Sequence, residues 1–344
     1  MSALPHNLTR RRLLAGAGLA ATGLATAGLV SGCGNDRHAA GGRARLRVTV
    51  LTLVDSAPFM IALKKGWFRD AGLDIDLKLS AQSANALTQL WGGSLDLVAG
   101  ANYVQVVSAA ANTNVDPLVV VDGYQSRANS TGIVVRKDSN LHRPQDLAGK
   151  KIAFSLKGSV TTLTASIILE TYGVHAYTEE EIAFPNMLTA LTNKSVDAAY
   201  LVEPFLTQAL GKKEPPGMRM LLDPLEGPTA DWPLSGNMSS RSAVEHKPRA
   251  MRALQRVLMR AQTYASDNRS AVEQVLAAKD FTRMPPNVAR LITLGAWLPE
   301  LAPVRLQRVI DEMKQHHMLD AAEHIPDAKD LIWAPATHSP SQSS

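Results

Sequence analysis

From residue 46 onward, short aliphatic runs alternate with stretches whose apolar residues recur at helical spacing, and Gly or Pro separates them. That alternation confines the chain to an α/β fold, because the runs are too short for helices and too apolar for loops. Residues 46–53 read as a strand, 58–69 as a helix stopped by Gly72, and 74–79 as a second strand. A helix over 84–91 ends at Gly92-Gly93. A strand over 95–99, a helix over 103–111 and strands over 118–121 and 132–135 follow. The unit then restarts with a strand over 152–154, a helix from Gly158-Ser159 to Tyr172, a strand over 182–184, a helix over 185–191 and a strand over 196–201. From Lys247 the pattern is nearly all helical, over 247–266, 271–277, 287–298 and 304–315.

The two halves echo each other. Ala86-Leu87-Thr88 precedes Ser94-Leu95-Asp96-Leu97, and Ala190-Leu191-Thr192 precedes Ser195-Val196-Asp197-Ala198. Two lobes on one βαβ plan are expected, with a cleft between them that is the natural place for a ligand. In open α/β sheets the ligand lies beyond the carboxyl ends of the strands. Those ends carry Asp55-Ser56-Ala57, Ser80 and Ser83, and Ala101-Asn102 in the first half, and Gly158-Ser159-Val160 and Glu203 in the second. Ser83, Asn102 and Ser159 could bind a ligand or cap the following helix. Gly158-Ser159 would bring backbone N–H groups to an anion. Asp55 and Glu203 would instead hold an amine or an aminopyrimidine, or else serve as first-turn acids of their helices. Trp232, between Asp231 and Pro233, is a candidate for stacking on a ligand or, equally, for a structural role.

The 344 residues carry a formal charge of +5, and Arg10, Arg11 and Arg12 supply three of the positive charges before any acidic residue. Without residues 1–32 the balance is 33 basic to 31 acidic, so no basic stripe argues for nucleic acid. The stretch Thr9-Arg10-Arg11-Arg12-Leu13-Leu14, followed by a Gly- and Ala-rich apolar run to Val30, resembles a Tat export signal. Val30-Ser31-Gly32-Cys33 resembles the lipobox of bacterial lipoproteins, and Cys33 is the single cysteine of the chain. The expectation is a signal peptide over 1–32, lipidation of Cys33 by fatty acyl chains such as palmitate, and a flexible tether over 33–45. The protein would then sit on the extracytoplasmic face of the cell membrane. A disordered tail is expected over 335–344. Gly16 to Ala21 fits a loose dinucleotide fingerprint, but no strand precedes it, and no cofactor is expected.

Five segments carry a family resemblance: Asp55-Ser56-Ala57-Pro58-Phe59-Met60 through Lys65-Gly66-Trp67-Phe68, Ala71-Gly72-Leu73-Asp74-Ile75, Asp146 to Lys151, Val196-Asp197-Ala198-Ala199 and Glu203-Pro204-Phe205. In this order they resemble the binding proteins for nitrate, aliphatic sulfonates, taurine and thiamine-pyrimidine precursors, the NMT1/THI5-like family, over about residues 46–318. The resemblance implies a type II periplasmic-binding-protein fold, with two α/β lobes around a central cleft and a helical C-terminal region. It divides the chain into lobe 1 over 46–135 and 236–330 and lobe 2 over 136–235, with crossings near Val135 and Ser235. It further implies a monomeric solute-binding component of an ABC importer, with permease and ATPase subunits as partners and no turnover of its own. The alternatives are a pyrimidine synthase on the same fold, which would carry a cysteine-rich motif, and the effector domain of a regulator, which would carry a helix-turn-helix. No His-Glu-x-x-His, Gly-x-Ser-x-Gly or P-loop motif occurs, and no metal site is expected. His316, His317 and His324 read as part of a solvated helical face.

Overall fold

β1 (Ala44–Leu51) forms where aliphatic side chains alternate across the strand, with Leu46, Val48 and Val50 fully buried. The computed structural model describes residues 42–334 apart from 82, 212, 213, 301 and 323. The leader, Cys33, the tether up to residue 41 and the tail over 335–344 lie outside the described residues. After β1 come α1 (Ala57–Lys64) and α2 (Trp67–Asp70), split by Gly66 at φ +77° where one helix was expected. β2 (Leu73–Ser80), α3 (Ser83–Trp91), β3 (Leu97–Asn102), α4 (Tyr103–Asn112) and β4 (Pro117–Gln125) complete the first run. The second holds β5 (Thr131–Arg136), β6 (Lys151–Phe154), α5 (Val160–Thr171), β7 (Thr178–Glu181), α6 (Phe184–Thr192), β8 (Ala198–Val202), α7 (Phe205–Leu210) and β9 (Met218–Leu222). The chain then returns through β10 (Pro233–Ser240), α8 (Arg241–His246), α9 (Pro248–Asp267), α10 (Arg269–Leu276), α11 (Pro286–Leu291), β11 (Ala296–Trp297) and α12 (Pro303–Gln315).

The strands form two sheets, ordered β11-β4-β10-β3-β1-β2 and β7-β6-β8-β5-β9. Each is covered by helices on both faces, so both are interior layers. In the first, α1, α9 and α10 share one apolar cluster with β1, and α3, α4 and α12 share the other with β3. In the second, α5 covers one face and α6 and α7 the other. This is the type II periplasmic-binding architecture, a lobe around each sheet.

The echo between the halves has a structural cause. Asp96 accepts the Arg47 amide at 2.8 Å and returns its own amide to the Arg47 carbonyl at 2.8 Å. Asp197 does the same with Lys151, at 2.9 Å and 2.9 Å. Each aspartate thus locks the strand beside it, β1 at its middle in one lobe and β6 at its start in the other. Burial works to raise the Asp96 carboxyl, but its bonds to Arg47 and Lys247 win and hold it below the usual range.

Several expectations are corrected. The strand expected over 182–184 is β7, at Thr178–Glu181, an acidic edge strand paired only with β6. The helix expected over 287–298 is the short α11 followed by β11, which pairs with β4. β10 was not anticipated, because Pro233 to Ser240 is rich in small polar residues. It is nevertheless buried between β3 and β4. Val135 and Ser235, near which the crossings were expected, both lie inside strands. Val135 pairs with Ala198 and Arg219, and Ser235 with Asn102 and Tyr124. A paired strand cannot leave its sheet midway, so the chain crosses over residues 126–130 and 223–232. These segments run together: the Ser126 amide donates to the Trp232 carbonyl at 2.9 Å, and the Asn129 amide to the Asp223 carboxylate at 2.5 Å.

Candidate functional site

The cleft floor is laid by the ends of β1 and β3, the end of β4 and the start of β10. Asp55 follows β1 in a single 3-10 turn before α1. Its carboxylate accepts the Ser235 hydroxyl at 2.5 Å, and its carbonyl accepts Trp297 Nε1 at 2.9 Å. Burial pushes the Asp55 carboxyl up to about 6, with the Ser235 bond pulling the other way. Tyr124, last but one in β4, lies with its ring centre 5.2 Å from that of Trp297 and accepts the Gly295 amide at 2.5 Å. Burial drives the Tyr124 hydroxyl well above its usual range, and the charges of Asp55 and Glu203 add to this.

Glu203 comes from the opposite lobe, just after β8. It is 6% exposed. Oε1 accepts the Thr207 hydroxyl at 2.8 Å and the Thr293 amide at 3.1 Å, and Oε2 accepts the Thr207 amide at 3.1 Å. Burial raises this carboxyl, and the three bonds oppose it. Thr293 lies between α11 and β11, in the first lobe. A second-lobe carboxylate is therefore held by first-lobe backbone, close enough to Asp55 for one tyrosine to feel both charges. Apolar contact reinforces the junction: Val160 and Leu163 of α5 pack in one cluster with Val104, Leu306 and Met313.

The remaining expected site residues have partners within the protein or are buried in it. The Ser56 hydroxyl donates to the Ala99 carbonyl at 3.1 Å, and Ala57 and Ala101 are fully buried. Ser80 closes β2, its carbonyl accepting the Thr52 amide at 2.9 Å. Asn102 caps α4 by accepting the Gln105 amide at 3.0 Å. Its amide group and the Ser83 hydroxyl both donate to Gln105 Oε1, which ties the starts of α3 and α4 together. The Ser159 amide donates to Thr162 Oγ1 at 2.9 Å, and its hydroxyl pairs with Thr161 at 2.9 Å. Gly158 has φ +64°, and a Cβ there would meet nothing within 4 Å, so the left-handed backbone is what demands glycine. Trp232 fits the structural one of its two readings. It is 0% exposed within the first-lobe core, and the Arg308 guanidinium covers its ring at 4.9 Å, leaving no face for a ligand.

Tyr124, Ser235, Thr293 and Trp297 were missed. The signal available was Leu294-Gly295-Ala296-Trp297-Leu298-Pro299, whose Gly and Pro break the helical reading. Beneath the cleft, Asp122 is fully buried and accepts from Tyr103, Arg305 and the Gly123 amide, the last at 2.7 Å. Arg305 is thereby ion-paired, while Arg127, on the exposed first crossing, is the cation whose charge reaches Tyr124. Among the described residues no three His, Cys, Asp or Glu side chains are grouped to hold a metal. Among them, too, no helix is long and apolar enough to cross a membrane.

Comparison with known proteins agrees with this architecture. Residues 54–271 match the family described as NMT1/THI5 like. The aliphatic sulphonate binding protein SsuA of Escherichia coli superposes with a TM-score of 0.70 at 18% identity, covering 88% of this chain and 96% of that one. The periplasmic nitrate-binding protein NrtA of Synechocystis PCC 6803 gives 0.67 at 14% identity, with 86% and 92% covered. At these identities the likeness establishes the fold. YtlA of Bacillus subtilis (strain 168) is 24% identical over 154 residues, which is 43% of this chain and 45% of that relative's length.

Proposed function

The chain belongs to the NMT1/THI5-like family, and from that premise we propose that it is the extracytoplasmic solute-binding component of an ABC importer. In this reading it is exported through its twin-arginine leader and held at the membrane by acylated Cys33. It captures a small solute between its lobes, passes it to the permease, and performs no chemistry on it.

The observation that carries the reading is the Glu203 carboxylate bound to the Thr293 amide across the cleft, beside Asp55 and Tyr124. A molecule touching both lobes favours the closed form, because only that form offers both sets of contacts. The paired crossings at 126–130 and 223–232 are the hinge, being the covalent links between the two sheets.

The same groups bear on the solute. Two largely desolvated carboxylates favour hydrogen-bond donors and positive charge; of the nearby cations Arg305 is already ion-paired with Asp122, and Arg127 stands on the exposed crossing. An amine or amino-heterocycle fits them better than a bare sulfonate or nitrate. The test is mass analysis of the small molecule carried through purification from native cells, followed by titration calorimetry of that molecule into Asp55→Asn and Glu203→Gln. Binding weakened in both variants, with the molecule recovered unaltered, is expected. A chemically changed molecule, or undiminished binding in both, would overturn the reading.

A further inference from the structure

Helix α9 carries Arg249, Arg252, Arg256 and Arg260, spaced by three, four and four residues, so that they run along one flank. The other flank, with Met251, Leu254, Leu258, Ala261 and Ala265, is buried against the first sheet and α1. Like charges at this spacing repel and weaken a helix. Among the described residues Arg249, Arg252 and Arg256 have no ion-pair or hydrogen-bond partner to relieve them. Arg260 lies over the Trp67 ring at 3.9 Å, and Lys65 over Tyr264 at 4.5 Å, around a surface cavity of about 620 Å³ with Asp267 on its rim. Asp267 is the single acid of α9. Four arginines and a lysine thus line this flank, with half-buried Trp67 beneath Arg260, a combination suited to the phosphate layer of a lipid surface.

The position of the chain entry selects the partner. The Lys247 ammonium, one residue before α9, donates to the Arg45 carbonyl at 3.2 Å. Arg45, close to the first described residue, therefore lies beside the head of the arginine stripe. Eight residues lie between Cys33 and Gly42, and the nine steps reach at most about 30 Å. We propose that this flank of α9 lies on an anionic phospholipid surface, its arginines paired with headgroup phosphates. The proposal rests on the lipid-anchor reading of Cys33. It gives the domain two attachments to the bilayer rather than one.

The test uses the mature lipoprotein reconstituted in vesicles of phosphatidylcholine alone or mixed with phosphatidylglycerol. Thr263→Cys, exposed on the arginine flank, and Asn193→Cys, exposed on the other lobe, are labelled with a neutral polyethylene-glycol maleimide. Phosphatidylglycerol is expected to slow labelling at position 263 and leave position 193 unchanged. High salt should reverse the slowing. So should Arg249→Gln with Arg256→Gln, since each arginine lost weakens attachment about fivefold. Flotation with neither vesicle would overturn the anchor and this orientation with it. Flotation with both and equal labelling would overturn the surface alone. Slowing that requires the permease in the membrane would assign the stripe to a protein partner and also overturn it.

Discussion

Asp55→Asn is expected to stabilise the free protein while damaging its cleft. In an unfolded chain this carboxyl ionises near 3.9, and in the folded chain near 6, because burial disfavours its charge. Between those values the folded state binds more protons than the unfolded one. Folding stability therefore falls as pH rises from about 4 to about 6 and stays lowered above that. The deficit amounts to about 3 kcal/mol at neutral pH. Asparagine keeps an oxygen for the Ser235 hydroxyl but carries no charge, so it removes the deficit without removing the contact. Urea unfolding of both proteins across this range should give curves that meet near pH 4 and separate by up to about 3 kcal/mol at pH 7, with the variant more stable. The other buried carboxyls, Glu203 and Asp122, contribute equally to both curves and cancel in the difference. Curves that stay parallel would mean that Asp55 is hydrated in the free protein, and the closed arrangement around Tyr124 would then be wrong.

Gly158→Ala should cost about 1 kcal/mol in urea unfolding through its left-handed backbone alone, since the new methyl meets open space. Ser159→Ala should cost less, because the amide at that helix start is satisfied by Thr162; equal losses would contradict this division. Gly123→Ala places a Cβ 2.2 Å from the Ser235 carbonyl oxygen and should destabilise by about 3 kcal/mol or more in thermal melts, a wild-type melt being the refuting result. Cys33→Ala should move the protein from the membrane to the soluble fraction, and a variant that still sediments with membranes would point to a different anchor.

Much of the fold could be read in local pattern. Residues 46–53, 103–111 and 247–266 carry the strand and helix periods plainly, and β1, α4 and α9 stand there. The echo around Asp96 and Asp197 was visible as two short matching strings, because an aspartate that locks a neighbouring strand recurs wherever the same βαβ unit is built. The family resemblance was likewise carried by short segments in order along the chain. The site itself was legible in part. Asp55 and Glu203 stood out as acids at strand ends, whereas Ser83, Asn102 and Ser159 proved to be bound up at helix starts.

The partners of those acids were not legible, because they lie far along the chain. Ser235 is 180 residues from Asp55, and Thr293 is 90 from Glu203. Propensity and period describe how a segment behaves alone. They do not say which distant backbone group will be left needing a partner once the sheets close. β10 shows the difference most clearly, since Pro233-Leu234-Ser235-Gly236-Asn237 has weak strand character yet lies buried between β3 and β4. There the exposed edges of two strands had to be satisfied, and Gly236, packed under Tyr103, let this segment come close enough to do it. The periods along the chain determined which elements form. The tertiary structure decided which of them meet, because buried N–H and C=O groups must find partners wherever the chain can bring them.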